Sequence, residues 1–176
     1  MKFEVFVVGA RVIESNQSEW LDLTGLDVQE IEFLWESKKR EWGVEQLQVW
    51  DTRNIPLDLC ICEDFSSLVK FINLCVQYGW EAVDFVYACL GDMGLNEFER
   101  IYLGSYESHS DFAQDWFHEE YEVLSSQKIG QYVDFEALAR DLEEEGQILT
   151  CSHKSVEVFG LPGTFRSSSQ FSDPQV

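Results

Sequence analysis

The chain has 176 residues, 45% of them hydrophobic, enough apolar material to bury a core and to set it apart from disordered polyelectrolytes. Thirty-three acids against twelve bases leave a formal charge of -21. Such a polyanion is repelled by nucleic-acid phosphates and anionic lipid, which excludes direct DNA or RNA binding and a membrane-surface role and leaves basic proteins as the favoured partners.

In chain order, Phe3 to Gly9 is a β-branched and aromatic run ending in a turn-former, and is predicted as a strand. Asp27 to Arg40 follows with Val28, Ile31, Phe33, Leu34 and Trp35 at helical spacing, Asp27 as cap and Lys38, Lys39 and Arg40 in the last turn. Val44 to Trp50 alternates imperfectly and is expected to be a second strand, with a third over Leu57 to Cys62. Asp64 to Tyr78, stopped by Gly79, has the apolar periodicity of a helix; Trp80 to Leu90, closed by Gly91, and Leu95 to Leu103, closed by Gly104, are predicted as two more. Short connections of this kind favour antiparallel helical neighbours.

Ser108 and Asp111 open the next helix in the manner of a capping box, with Phe112, Ala113, Trp116, Phe117, Val123 and Leu124 on its apolar face. Asp134 to Glu145 forms a further helix with Phe135, Leu138 and Leu142 inward and Gly146 at its stop. Gln147 to Cys151 and Ser155 to Phe159 are expected to close the fold as a hairpin turning at Ser152 to Lys154. From Gly160 the composition shifts to Gly, Pro, Ser and Gln, and a disordered tail is expected. The fold class is therefore α+β. Its segments are a mixed lobe over 1–62, a helical lobe over 63–104, a second α/β lobe over 105–160 and a tail over 161–176.

The charge is unevenly placed. Residues 81–145 hold seventeen acids and three bases, a net of -14, whereas residues 146–176 balance. In the helix after Ser108, Asp111, Asp115, Glu119 and Glu122 recur at steps of four, four and three and form one outward stripe, and Glu107 and Glu120 lie in the same interval. No Lys or Arg falls between Arg100 and Lys128. Like charges at these spacings oppose a helix by roughly 0.2–0.5 kcal/mol per pair. Glu143, Glu144 and Glu145 then crowd a helix C-terminus, where the macrodipole disfavours negative charge, and Asp134, Glu136 and Asp141 add to the same helix. A solvated face that only keeps the protein soluble would account for the charge but not for its concentration. Carboxylates one turn apart are separated by about 5–6 Å, the scale of phosphate spacing on a strand, and -21 corresponds to roughly 36 Å of duplex. A surface so built would fit a cleft made for DNA.

Enzyme chemistry finds little support. The chain has no glycine-rich phosphate loop, no Gly-x-Ser-x-Gly elbow, no His-Glu-x-x-His helix and no EF-hand loop. His118 with Glu122 and Asp115 is the best metal candidate, but a carboxylate-bridged site wants a second such pair, so neither metal nor cofactor is expected. The five cysteines, Cys60, Cys62, Cys75, Cys89 and Cys151, form no Cys-x-x-Cys pair and are expected as reduced core thiols. With no leader-like opening and no apolar run of membrane-spanning length, a cytoplasmic location is expected.

The stretch IYLGSYESHSDFA carries Tyr102, Gly104, Tyr106, Ser108, Asp111, Phe112 and Ala113 at spacings that resemble the signature of the ArdA-type antirestriction proteins. YVDFEALARDL, Tyr132 to Leu142, resembles that family's next helix, and WLDL, Trp20 to Leu23, its early Trp-x-Asp-Leu element. The resemblance implies an elongated, homodimeric DNA mimic of three small lobes that occupies the DNA-binding groove of type I restriction-modification enzymes, chiefly their methyltransferase core. On this reading the carboxylates named above supply the charge, while Tyr102, Gly104, Tyr106, Ser108, Phe112, Ala113 and Tyr132 hold the shape. The alternative is a generic acidic module for another basic DNA-binding protein.

Overall fold

The computed structural model describes residues 1–10, 17–61, 65–121, 131–152 and 155–161. The chain divides into two compact units, Met1–Asn96 and Glu97–Val176. Among the described residues it is a mixed α+β protein with six helices and two three-stranded antiparallel sheets.

In the first unit, β1 (Glu4–Ala10) lies between β2 (Ser18–Asp22) and β3 (Gln46–Arg53). Phe3, Val5 and Val7 alternate inward and are almost wholly buried, the period-two pattern of a strand with one covered face. The register slips between Phe6 and Val7, a bulge on the β3 side. β2 is a strand the sequence reading did not assign. Its acid-flanked five residues give too short an alternation to announce themselves, and pairing of Leu21 with Val5 decides the matter.

Helix α1 (Val28–Trp42) begins at Asp27 with a reciprocal cap: the Asp27 carboxylate accepts the Glu30 N–H at 2.8 Å and the Glu30 carboxylate accepts the Asp27 N–H at 2.9 Å. It ends at Gly43, whose left-handed conformation (φ 60°) returns N–H groups to the last turn. Asp27→Ala should lower the urea midpoint of the first unit by the equivalent of about 1 kcal/mol, read by far-UV dichroism.

The third strand expected over Leu57 to Cys62 is instead a helix, α2 (Leu57–Ile61). Leu57, Leu59 and Ile61 mimic strand alternation, but Pro56 presets a helical φ and its carbonyl accepts the Leu59 N–H at 3.2 Å. Leu59 and Cys60, adjacent in sequence, are both buried, which a strand with one covered face does not permit. Helix α3 (Ser66–Tyr78) then buries Leu68, Val69, Phe71, Ile72, Leu74 and Cys75 and stops at Gly79.

Helix α4 (Trp80–Ile101) is broken at Gly91, whose φ of 58° and ψ of -147° are not helical. The two arms correspond to the two helices expected on either side of that glycine. The second ends earlier than expected, however, at Ile101, because Tyr102–Tyr106 leaves the helix as strand β4 to pair with a segment 50 residues downstream.

In the second unit, β4, β5 (Ile148–Ser152) and β6 (Val156–Gly160) form a sheet in the order β4-β6-β5, so the last strand in the chain is the central one. The closing hairpin pairs as expected; its turn includes residues 153–154, outside the described set, as are the tail from 162 and Cys62. α5 (His109–Glu120) and α6 (Phe135–Glu144) pack against each other and cover one face of this sheet. Phe112 from α5 and Leu142 from α6 meet Ile148, Val156 and Val158 there. On the opposite face Phe159 packs against Phe98 and Tyr102, with ring centroids 5.7 and 5.5 Å away. Of the cysteines expected in the core, Cys60 and Cys75 are buried, but Cys89 is exposed and Cys151 only half-buried. Cys89, like its neighbour Ala88, lies on the solvent side of α4. Burial, aided by Asp84 and Glu81, pushes the Cys75 thiol up to about 12, so it is no nucleophile at neutral pH. No described helix is long and apolar enough to cross a membrane.

Candidate functional site

Two helices with their apolar sides spent on one sheet leave their other sides to water, and the sequence fills those sides with carboxylates. α5 starts where the Ser108 hydroxyl accepts the Asp111 N–H at 3.2 Å while donating to the Asp111 carboxylate at 2.7 Å. That start fixes the helical phase. Phe112, Ala113 and Phe117 are buried, whereas Asp111, Asp115 and Glu119, one turn apart with a rise of about 6 Å per step, are exposed, as is Glu120 at the helix end. Glu107 is exposed in the preceding turn. The helix ends at Glu120, and Glu122 lies outside the described residues, so the fourth position of the expected stripe is not among those placed.

α6 repeats the arrangement. Asp134 caps it by accepting the Ala137 N–H at 3.1 Å, Ala139 and Leu142 face inward, and Glu136, Asp141, Glu143, Glu144 and the cap residue Glu145 are exposed. Thr150 donates to Glu143 at 2.6 Å and Gln147 to Glu145 at 2.7 Å. These neutral donors orient the carboxylates without cancelling their charge.

Eleven of the twelve acids expected to form the surface are therefore described, and all eleven are exposed. Among the described residues none of them forms an ion pair, although Arg140 lies on α6 among them. In the first unit Lys38 pairs with Glu19 and Glu41, Lys39 with Glu36, Arg53 with Glu4 and Lys2 with Asp22, while Arg40 and Lys70 bond to the Glu36 carbonyl and to Asn96. In the second, Arg100 pairs with Glu97. The α5–α6 surface thus concentrates eleven exposed carboxylates with no ion pair among the described residues.

The residues expected to hold the shape fall into two groups. Tyr102 stacks on Phe98 and donates its hydroxyl to Glu157 at 2.9 Å; Glu157 also accepts from Ser105 at 2.8 Å and Ser155 at 2.7 Å, joining β4 to β6. Gly104 sits at an irregularity in that pairing with φ 144°, and a side chain there would meet the Tyr106 ring at 3.1 Å. Tyr106 in turn stands edge-on to Phe112 at 5.4 Å, and so ties the strand to α5. Tyr132 belongs to neither set, being 88% exposed. An aromatic following Gly130 and Gln131 reads as a packing residue in a short motif, but nothing in the described core takes its ring.

Tyr106 also senses the acids. Burial first, then the negative fields of Asp115 and Glu119, hold its hydroxyl above the ordinary tyrosine range. A proton held more tightly in the folded state contributes stability that is complete below the ordinary value and is lost as pH rises through the raised one. In the double variant D115N/E119Q the Tyr106 titration should move down toward the ordinary value without reaching it, because burial remains. Ultraviolet difference titration against a Tyr106→Phe control checks this; an unmoved titration would mean the two carboxylates do not face that ring.

The described residues include no group of three or more His, Cys, Asp and Glu side chains placed to hold a metal ion. Glu122, on which the His118 candidate depended, lies outside them. His109 is within 3.3 Å of the Thr150 hydroxyl, a contact between α5 and β5.

Residues 15–157 match the model of the family described as antirestriction protein (ArdA). No curated protein and no solved structure matches the chain.

Proposed function

The chain belongs to the ArdA family of antirestriction proteins, and from that premise we propose that it acts as an acidic stand-in for duplex DNA in the DNA-binding groove of type I restriction-modification enzymes, chiefly their methyltransferase core. The observation that carries this reading is the set of eleven exposed carboxylates on α5, α6 and their flanks, none of them in an ion pair among the described residues. Charge fixed on helices costs no reorganisation when it meets a basic groove, and several groups act together over a surface too broad for any one base to neutralise. No turnover, metal or cofactor enters this action. The inhibitor wins by occupying the groove, so that both cleavage and modification of incoming DNA are blocked while it stays bound.

An elongated, dimeric arrangement of small lobes would suit this purpose, since two copies carry charge equivalent to roughly 70 Å of duplex. The test is competition. Titrating the protein into a type I methyltransferase holding labelled duplex should release the duplex, with a potency that declines as salt rises. Release from unrelated basic DNA-binding proteins with equal potency would replace this reading with that of a generic acidic module. Failure to release the duplex at any salt concentration would dispose of both.

A further inference from the structure

The first unit carries a second feature that the acidic helices do not explain. Among the described residues β3 is an edge strand, and in an antiparallel ladder alternate residues of such a strand turn their N–H and C=O groups away from the sheet. Proteins ordinarily protect such an edge with Lys, Pro or a covering element. Gln46 to Trp50, QLQVW, has neither charge nor proline, and Trp50 is 66% exposed. Alongside it, between β3 and α1, runs a groove of about 890 Å³ in which every residue from Glu45 to Trp50 takes part. Trp35, Cys60 and Phe65 give it an apolar floor, Trp35 and Phe65 meeting edge-to-face at 5.5 Å. Its rim carries the exposed carboxylates Glu32, Glu36 and Glu45 against the single base Lys39, which already pairs with Glu36 at 2.6 Å.

An open strand edge facing a helix across an apolar cleft is the arrangement by which extended peptides are taken up as an added strand: backbone pairing supplies affinity, and alternate side chains enter the cleft. We infer that the β3–α1 groove binds an extended, basic segment of a partner protein as a fourth strand of the first sheet, apolar side chains meeting Trp35 and Phe65 and arginines or lysines reaching Glu32, Glu36 and Glu45. Charge decides between occupants. A second copy of this chain would bring its own three glutamates against the first set, whereas a basic segment finds them complementary. The inference does not rest on the antirestriction reading.

The test uses the whole protein and a labelled eight-residue peptide of alternating arginine and valine, followed by fluorescence anisotropy at moderate salt so that long-range attraction to the polyanion is screened. The peptide should bind and should slow amide exchange at Gln46 to Trp50. Replacing its two central valines by proline keeps the charge but removes strand pairing, and should weaken binding by roughly tenfold or more. The variant E32Q/E36Q/E45Q, altered only at exposed positions, should weaken it by a similar factor while leaving the dichroism spectrum unchanged. Equal binding of the proline peptide would reduce the effect to nonspecific attraction and overturn the proposal. So would undiminished binding to the glutamine variant, or a concentration-dependent dimer that already protects the Gln46 to Trp50 amides without peptide. None of these outcomes bears on release of duplex from a methyltransferase, so the two proposals fail separately.

Discussion

The five-fold variant D115N/E119Q/E120Q/D141N/E144Q should be folded, slightly more stable than the parent, and a much poorer inhibitor. These five carboxylates are exposed and none forms an ion pair among the described residues, so their removal takes nothing from the fold. Relief of the Asp115–Glu119 and Asp141–Glu144 repulsions should add about 0.4–1 kcal/mol, seen as a rise of one to a few degrees in Tm. Each exposed charge facing a basic groove contributes roughly 0.5 kcal/mol, so five together should weaken binding to the methyltransferase by roughly thirty- to a hundredfold. Any one of them alone should have an effect close to experimental error. Stability and inhibition moving in opposite directions is the signature of charge kept for binding. A variant that retains full potency would show that the partner engages some other face.

Phe112→Ala should abolish inhibition with every charge still in place. Phe112 is 3% exposed and joins α5 to Leu142, Ile148, Val156 and Val158, with the Tyr106 ring edge-on against it. Truncating a buried phenylalanine costs about 3–5 kcal/mol, a large part of the stability of a small unit. The expected result is a lowered, broadened thermal transition and loss of duplex release, while Phe112→Leu retains most of both. Together with the five-fold variant this separates the two requirements, net charge and the geometry that arranges it. Should Phe112→Ala keep its potency at a temperature where α5 has melted, charge alone would suffice and the fixed arrangement would be irrelevant.

Where local chemistry alone decides structure, the sequence was readable. Asp27, Ser108 with Asp111, and glycines 79, 91 and 146 mark helix ends through bonds made within a turn or two, and each stands at such a boundary. The orientation of the acids followed from the same logic, because the phase of α5 is set by Phe112, Ala113 and Phe117 finding a core. The failures are places where distant partners decide. Tyr102 and Leu103 continue an apolar helical period, yet β6 captures them as strand. Leu57 to Ile61 alternates like a strand, yet Pro56 and the burial of adjacent Leu59 and Cys60 make it a helix. Tyr132 shows the limit for single motif residues, since spacing cannot tell a packed ring from an exposed one. The open edge of β3 was invisible for a related reason: a strand's place in its sheet is a fact of topology, which no run of residues states.

The order β4-β6-β5 also dictates when the second sheet can close. Both acid-bearing helices are synthesised before Val156, Val158 and Phe159, the side chains on which the two faces of their sheet are assembled. A nascent chain halted before Val156 carries the carboxylates of α5 and α6 on helices that lack the central strand of their sheet, and isolated helices of ten to twelve residues with like charges are barely populated in water. The acidic helices therefore settle only as β6 slides into the gap between β4 and β5, and on the proposed function a cut within β6 should abolish inhibition while leaving every carboxylate of α5 and α6 in the chain.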